Sequence, residues 1–210
     1  MWRMASRIES LSSAIVSSEF LAEAPPRDFE VVFICTGNRA RSPFSAELFR
    51  RYSRDFPVVV RSVGALDLGP APALREAVWA ARTFEIELSQ HRARPLLAGA
   101  LESADLVVGF ETSHIAAAVV DGGAARGRAF LMTELADLLT KVGDSRNRPL
   151  ERTVELAHGM RANAAVALPV RDPVGRPRQE FQRTFAQIDS LVAAIAVGLF
   201  GDRRFDPSAR

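Results

Sequence analysis

From Phe29 onward, short β-branched apolar runs alternate with stretches of helical periodicity. The run FEVVFIC (29–35) is apolar almost throughout, as expected of a strand covered on both faces in a parallel sheet. PVVVRSVG, ADLVVGF and RAFLM repeat that signature and predict the second, third and fourth strands. Between them, a helix is expected to start near Ser42-Pro43, where a proline at an early helical position loses no hydrogen bond. ALREAVWAARTF predicts another helix, and one more is expected between the third and fourth strands. Leu139 to Pro149, with Gly143, Asp144, Ser145 and Asn147, reads as a loop, and LERTVELAHGMRANAAVAL after it as helical. Phe181, Phe185, Ile188, Val192 and Ile195 form one apolar stripe on a final helix. Strands alternating with helices predict an α/β fold: a doubly wound, four-stranded parallel sheet with helices on both faces.

The first 28 residues differ from this pattern. Met4, Ile8, Leu11 and Ile15 keep helical spacing, and Pro25-Pro26 break it with a stiff linker. The expected organisation is therefore a helical extension over 1–28, a domain over 29–203 and a tail over 204–210. At 210 residues the chain has room for one well-formed core.

Composition narrows the function classes. Hydrophobic residues make up 48% and charged residues 25%, with a formal net charge of +2, and Lys141 is the one lysine. Arginines are interleaved with acids rather than gathered on one face, so no nucleic-acid partner is expected. The longest apolar run, Leu191 to Phe200, is far short of the roughly 20 residues of a membrane span. A single cysteine, Cys35, excludes an internal disulfide and a two-thiolate metal site. The three histidines (His91, His114, His158) lack ligand spacing. No metal and no cofactor is expected, and the expected compartment is a reduced cytoplasm.

The chemistry gathers in CTGNRARSP, immediately after the first strand. Ligand sites of α/β sheets lie at the carboxyl ends of strands. A loop of this length can turn successive backbone N–H groups toward an anion. The helix that follows adds free N–H groups and partial positive charge. Arg41 can grip two phosphate oxygens in a fork. These features favour the Cys35 thiolate, the form that attacks, and Ser42 can donate a hydrogen bond to it. Gly37 and Asn38 are the residue types that tolerate positive φ. A lone cysteine at a strand end is more often a small hydrophobe; the coincidence of strand, Gly-Asn, Arg-Ser-Pro and helix outweighs that reading.

VFICTGNRARSPFSAELF resembles the phosphate-binding loop of the low-molecular-weight protein-tyrosine-phosphatases. RSVGA, ELSQHRARPL, ADLVVGFETSH and VRDPVG...FQRTFAQI are similar to further family segments, in order, so that the resemblance covers about residues 29 to 200. It implies a phosphomonoester hydrolase, most simply a protein-tyrosine phosphatase, working through a phosphocysteine on Cys35. Arg41 is then the phosphate-binding residue and Asp172 the general acid and base. Thr36, Gly37, Asn38, Arg39, Ala40 and Ser42 become the substrate-binding loop. Pro173 would fix the backbone beside the acid, and Asp172 is expected in a partly apolar loop that favours its protonated form. His91 and Glu111 fall where the family has a polar network under the loop, with ordinary surface polarity the equal alternative; His114 and His158 are read as structural. The implied partners are a phosphorylated protein or small phosphate ester, with inorganic phosphate, arsenate and vanadate as inhibitors. A homodimer is left open.

Three positions depart from the better-known members. Ala40 replaces a second cysteine, so Cys35 has no disulfide partner against oxidation. Arg39 stands where the pocket mouth usually has a small aliphatic or Thr. Val174 stands where an aromatic is common, and ALDLGPAP offers only Leu66 and Leu68 as an opposite wall. Phosphoarginine or another phosphate ester therefore stays open as substrate. So does arsenate reduction with an external low-molecular-weight thiol. A cysteine phosphocarrier of the sugar-transport type would have no use for Asp172, and a catalytically dead phosphate-binding module would not need the full residue set.

Overall fold

The computed structural model describes residues 27–201; the expected helix carrying Met4, Ile8, Leu11 and Ile15, the Pro25-Pro26 linker and the tail lie outside the described residues. Four strands, β1 (Phe29–Cys35), β2 (Val58–Gly64), β3 (Leu106–Gly109) and β4 (Ala129–Leu131), pair in parallel in the order β2-β1-β3-β4. The helices are α1 (Arg41–Ser53), α2 (Arg75–Arg82), α3 (Thr112–Val120), α4 (Met132–Val142), α5 (Leu150–Gly159) and α6 (Arg178–Phe200). The chain leaves β1 on one side to form β2, then crosses back to build β3 and β4 on the other side. The carboxyl end of β1 is therefore the point where the winding reverses, and a crevice opens there.

Alternation along β1 divides the core. Val31, Phe33 and Cys35 face a large cluster formed with α1, α2, α4, α5 and α6. Val32 and Ile34 face a smaller one with Leu101, Ala104 and Ala118. Both faces are buried, which is why the strand reads as a continuous apolar run. The stripe expected on the last helix is the spine of the larger cluster: Phe181, Phe185, Ile188, Val192 and Ile195 are all buried. By length and composition α6 passes as a membrane span, yet its apolar side packs on α1, α2 and α4. Phe185 stacks on Phe44 of α1, with centroids 3.9 Å apart and planes at 8°.

Two stretches of the sequence reading are corrected. Met132 opens α4 rather than ending β4, and the helix continues through Leu139 to Val142, inside the segment read as loop. Leu135, Leu138, Leu139 and Val142 have helical spacing, and Gly143, at φ 76°, is where the helix stops. The loop is thus 143–149. The following helix ends at Gly159, not at Leu168. Beyond one 3₁₀ turn the chain is drawn out, because Val170 N–H bonds Phe110 O at 3.0 Å and Val170 O accepts from Arg41 at 3.0 Å. Arg27, at the end of the predicted extension, is exposed but reaches the domain. Its guanidinium forks the buried Asp105 carboxylate with two contacts of 2.6 Å.

Phe185→Ala should cost about 3–5 kcal/mol, since the cavity would lie between α1 and α6 where neither can collapse. In urea unfolding this reads as a lower midpoint at unchanged slope; a loss under about 1 kcal/mol would show that the stack is not part of the core's support.

Candidate active site

Cys35 closes β1, and the chain then turns through 36–40 into α1. Four carbonyls, those of Cys35, Thr36, Asn38 and Arg39, are engaged on the outside of the turn. Cys35 O accepts from Ala65 N (2.8 Å), Thr36 O from Leu66 N (2.8 Å), and Arg39 O from Leu74 N (3.0 Å). Asn38 O accepts from His91 Nε2 at 2.7 Å. In a trans peptide the N–H points opposite to the carbonyl. With the carbonyls held outward, the amides of Thr36, Gly37, Arg39 and Ala40 face the concave side, joined by the N-terminus of α1. That makes an anion cradle.

Asn38 holds the curl. It is fully buried and adopts φ 52°, the left-handed step expected of it. Its Nδ2 donates to Ser42 Oγ and to Ser62 Oγ, both at 2.9 Å, and its Oδ1 accepts from Arg94 N at 2.9 Å. Gly37, by contrast, has no positive φ; its lack of a side chain gives room to Leu68, whose Cδ1 would lie 2.7 Å from an added Cβ. Sequence reasoning assigned no role to Gly64. A Cβ there would come within 2.9 Å of the Gly37 carbonyl carbon and 3.0 Å of Asn38 N, so only glycine lets β2 end this close to the cradle.

Ser42 Oγ lies 3.0 Å from Cys35 Sγ. Because Ser42 already accepts from Asn38, its own proton is free to go to the sulfur or to Val63 O, 3.3 Å away. A hydroxyl with that choice can donate to a thiolate and turn away from a neutral thiol.

Arg41 is buried from its backbone to its guanidinium. Nη1 pairs with Glu111 and donates to Val170 O at 3.0 Å; Nη2 donates to Asp172 Oδ2 at 2.5 Å and to Thr36 Oγ1 at 3.3 Å. The Phe110 ring lies beneath it, 5.5 Å away. A guanidinium so deep in the fold needs counter-charge, and two carboxylates supply it. Asp172 was expected in a partly apolar loop, and it does line a pocket with Leu68, Leu74 and Val174. The structure also places it on the cation, a third exposed, with Oδ1 accepting from Val174 N at 3.1 Å.

The two support residues expected from the sequence both touch the loop, His91 through the Asn38 carbonyl and Glu111 through Arg41. Burial lowers the pKa of His91, opposed by its bond to Asn38. His114 had no expected part here, yet it is buried beneath the cradle. Its Nδ1 accepts from the backbone N–H groups of Phe110 (3.3 Å) and Glu111 (3.1 Å). The proton therefore sits on Nε2, which donates to Thr36 Oγ1 at 3.0 Å. Glu-x-x-His at the start of α3 was the available signal, the histidine reaching back to free amides of the helix N-terminus. His158 stays away from the site, beside Gly127 and Arg161.

The pocket above the cradle is narrow, about 150 Å³. Cys35 is at its base, and Leu68, Leu74 and Val174 give it apolar walls. Arg39 is at the rim, its Nε bonded to Pro72 O at 2.7 Å. Pro173 is buried behind Asp172, and Ala40 is buried in the loop wall.

Burial, followed by the charge of Arg41, pulls the His114 pKa down to about 4. An unfolded histidine takes up its proton near pH 6.5, and the folded one resists until about 4. The unfolded state then binds more protons in that window, so stability is lost as pH falls through it. His114→Asn should flatten the loss between pH 6.5 and 4 by on the order of 1–3 kcal/mol. Denaturant midpoints of both proteins across that range check this; parallel curves would refute it.

Comparison with known proteins shows the family. Residues 30–144 match the family model of low molecular weight phosphotyrosine protein phosphatase. The protein-arginine-phosphatase of Bacillus subtilis (strain 168) is 28% identical over 177 residues, covering 83% of this chain and 99% of that protein. The low molecular weight protein-tyrosine-phosphatase Etp of Escherichia coli (strain K12) is 33% identical over 101 residues, covering 48% of this chain and 67% of its own. A solved structure of a mutant YwlE arginine phosphatase, its active-site cysteine replaced by a phosphorylated serine, superposes with TM-score 0.63 at 26% identity, over 84% of this chain and 99% of that one. With the family model spanning more than half its length and the fold shared almost end to end with such relatives, the chain belongs to the low molecular weight phosphotyrosine protein phosphatases.

Proposed function

We propose that Cys35, Arg41 and Asp172 carry the phosphatase reaction. The observation behind this is their convergence on one narrow pocket, with Ser42 Oγ 3.0 Å from the Cys35 sulfur. A phosphate dianion entering the cradle takes the inward amides and the Arg41 Nη2 edge that Asp172 occupies in this structure. Asp172, released at the pocket mouth, carries the proton the leaving oxygen needs. Cys35 attacks in line: the S–P bond forms as the P–O bond breaks, and the proton passes from Asp172 to the departing oxygen. Water then attacks phosphorus and gives its proton to Asp172. The S–P bond breaks, and Ser42 donates to the returning thiolate. Thr36, Gly37, Asn38, Arg39 and Ala40 line or shape the cradle, His91 and Glu111 brace it, and Pro173 stiffens the turn behind the acid.

The favoured substrate is phosphotyrosine in a phosphorylated protein. The thiol is 3% exposed at the base of a pocket with Leu68, Leu74 and Val174 as walls, dimensions that suit a flat ring standing between phosphate and peptide. Phosphoarginine is the second reading, favoured by the similarity to an arginine phosphatase over 99% of its length. Against it, Arg39 sets a cation at the rim, where phosphoarginine brings its own guanidinium. The named relatives are phosphatases, which favours hydrolysis over arsenate reduction. A lone thiol without a disulfide partner suits a reducing cytoplasm.

Hydrolysis of para-nitrophenyl phosphate should proceed in EDTA with reductant, fall to background in Cys35→Ser, and drop roughly 10²–10⁴-fold in kcat in Asp172→Asn. Folded wild-type protein without turnover would refute the mechanism. On matched peptides, kcat/KM should favour phosphotyrosine over phosphoarginine; the reverse order would make the second reading the correct one.

A further inference from the structure

The reaction pocket has a neighbour. On the other side of Asp172 lies an open groove of about 590 Å³, lined by Glu111, Arg171, Asp172, Arg176, Glu180 and Thr184 among others. Asp172 lines both spaces, so a peptide whose phosphorylated side chain enters the first can run over Asp172 into the second.

The charges of this groove are uneven. Its carboxylates are already in ion pairs: Glu111 and Asp172 both contact Arg41, and Glu180 pairs with Arg183 at 2.5 Å. Arg171 and Arg176 are exposed, and neither meets a carboxylate at ion-pair distance among the described residues. Arg171 and Arg176 are thus left to face the groove without a carboxylate partner, and with Arg41 and Arg183 counted against Glu111, Asp172 and Glu180 the groove carries one excess positive charge. Their backbone is stiff: Pro173 and Pro177 fix φ, Arg176 N bonds Pro173 O at 3.0 Å, and Val174 N bonds the Asp172 side chain. Cations held on a short rigid turn lose less conformational entropy on binding than cations on a mobile loop.

We propose that this groove receives acidic side chains next to the phosphorylated residue, making phosphotyrosine in an acidic sequence the preferred substrate. The proposal rests on the phosphatase reading above and adds the substrate's context. Arg171 and Arg176 act here as specificity residues and touch neither the phosphoryl group nor the sulfur. Because they are exposed, their effect is electrostatic and weakens with salt.

The test uses two phosphotyrosine peptides of equal length, one with Glu and Asp on both sides of the tyrosine and one with Gln and Asn there. Wild type is compared with Arg171→Gln/Arg176→Gln, and para-nitrophenyl phosphate, too small to reach the groove, reports on the reaction pocket. Wild type should favour the acidic peptide by about five- to tenfold in kcat/KM at low salt, mainly through KM. In the double variant that preference should vanish while para-nitrophenyl phosphate turnover stays within about twofold. Wild-type turnover with no acidic preference, or a preference that survives in the double variant, would overturn the groove assignment alone. Wild type inactive on para-nitrophenyl phosphate would overturn the phosphatase reading and this one with it.

Discussion

The side-chain amide of Asn38 is the point on which the site depends. It is buried, and its two N–H groups and its oxygen are all satisfied, by Ser42 on α1, Ser62 on β2 and the Arg94 amide. A buried amide left with one unmet group costs on the order of 1–3 kcal/mol, so conformations that break any of these bonds are strongly disfavoured. The left-handed step at φ 52° is unfavourable for most side chains, and this network holds the backbone there. Once that step is made, the neighbouring carbonyls meet donors from the β2–α2 connection and His91, and their amides turn inward. The cradle is thus a consequence of how its outer side is hydrogen-bonded, ready before any anion arrives.

Charge is managed by the same economy of contacts. One buried guanidinium, Arg41, is balanced by Glu111 beneath and Asp172 above, while Phe110 and the Val170 carbonyl keep it from swinging. Glu111 sits at the start of α3, where His114 bonds its amide, so that partner is fixed. Asp172 sits on a proline-stiffened turn at the mouth of the pocket. It occupies the edge of the fork that, in the proposed mechanism, an anion entering the cradle takes. In that mechanism, phosphate binding and release of the acid are therefore coupled through Arg41, and the part of the site that moves is the part nearest solvent.

The reading of individual elements follows the same physics. β1 and β3 were legible because strands buried on both faces are continuous apolar runs, β2 because of its β-branched run at 58–60, and α6 because its stripe is long. α4 was obscured because Gly143, Asp144 and Asn147 dominate the composition just beyond it, although Leu135 and Leu139 carry the period. The Ala-rich stretch 160–168 has helical propensity that loses to tertiary pairing, since Val170 is held by both Phe110 and Arg41.

What the sequence determined by itself is the chemistry of a contiguous segment. Cys35, Asn38, Arg41 and Ser42 lie within eight residues, on one loop between a strand and a helix, and local geometry follows from that spacing. Their supports come from far along the chain: Ser62, Gly64, His91, His114 and Asp172. Only the tertiary structure decided that His114 reaches Thr36, that Gly64 must lack a Cβ, and that Asp172 rests on Arg41. The physical reason is that burial, close approach and charge pairing are properties of neighbours in space, and the winding of the sheet around β1 chooses those neighbours.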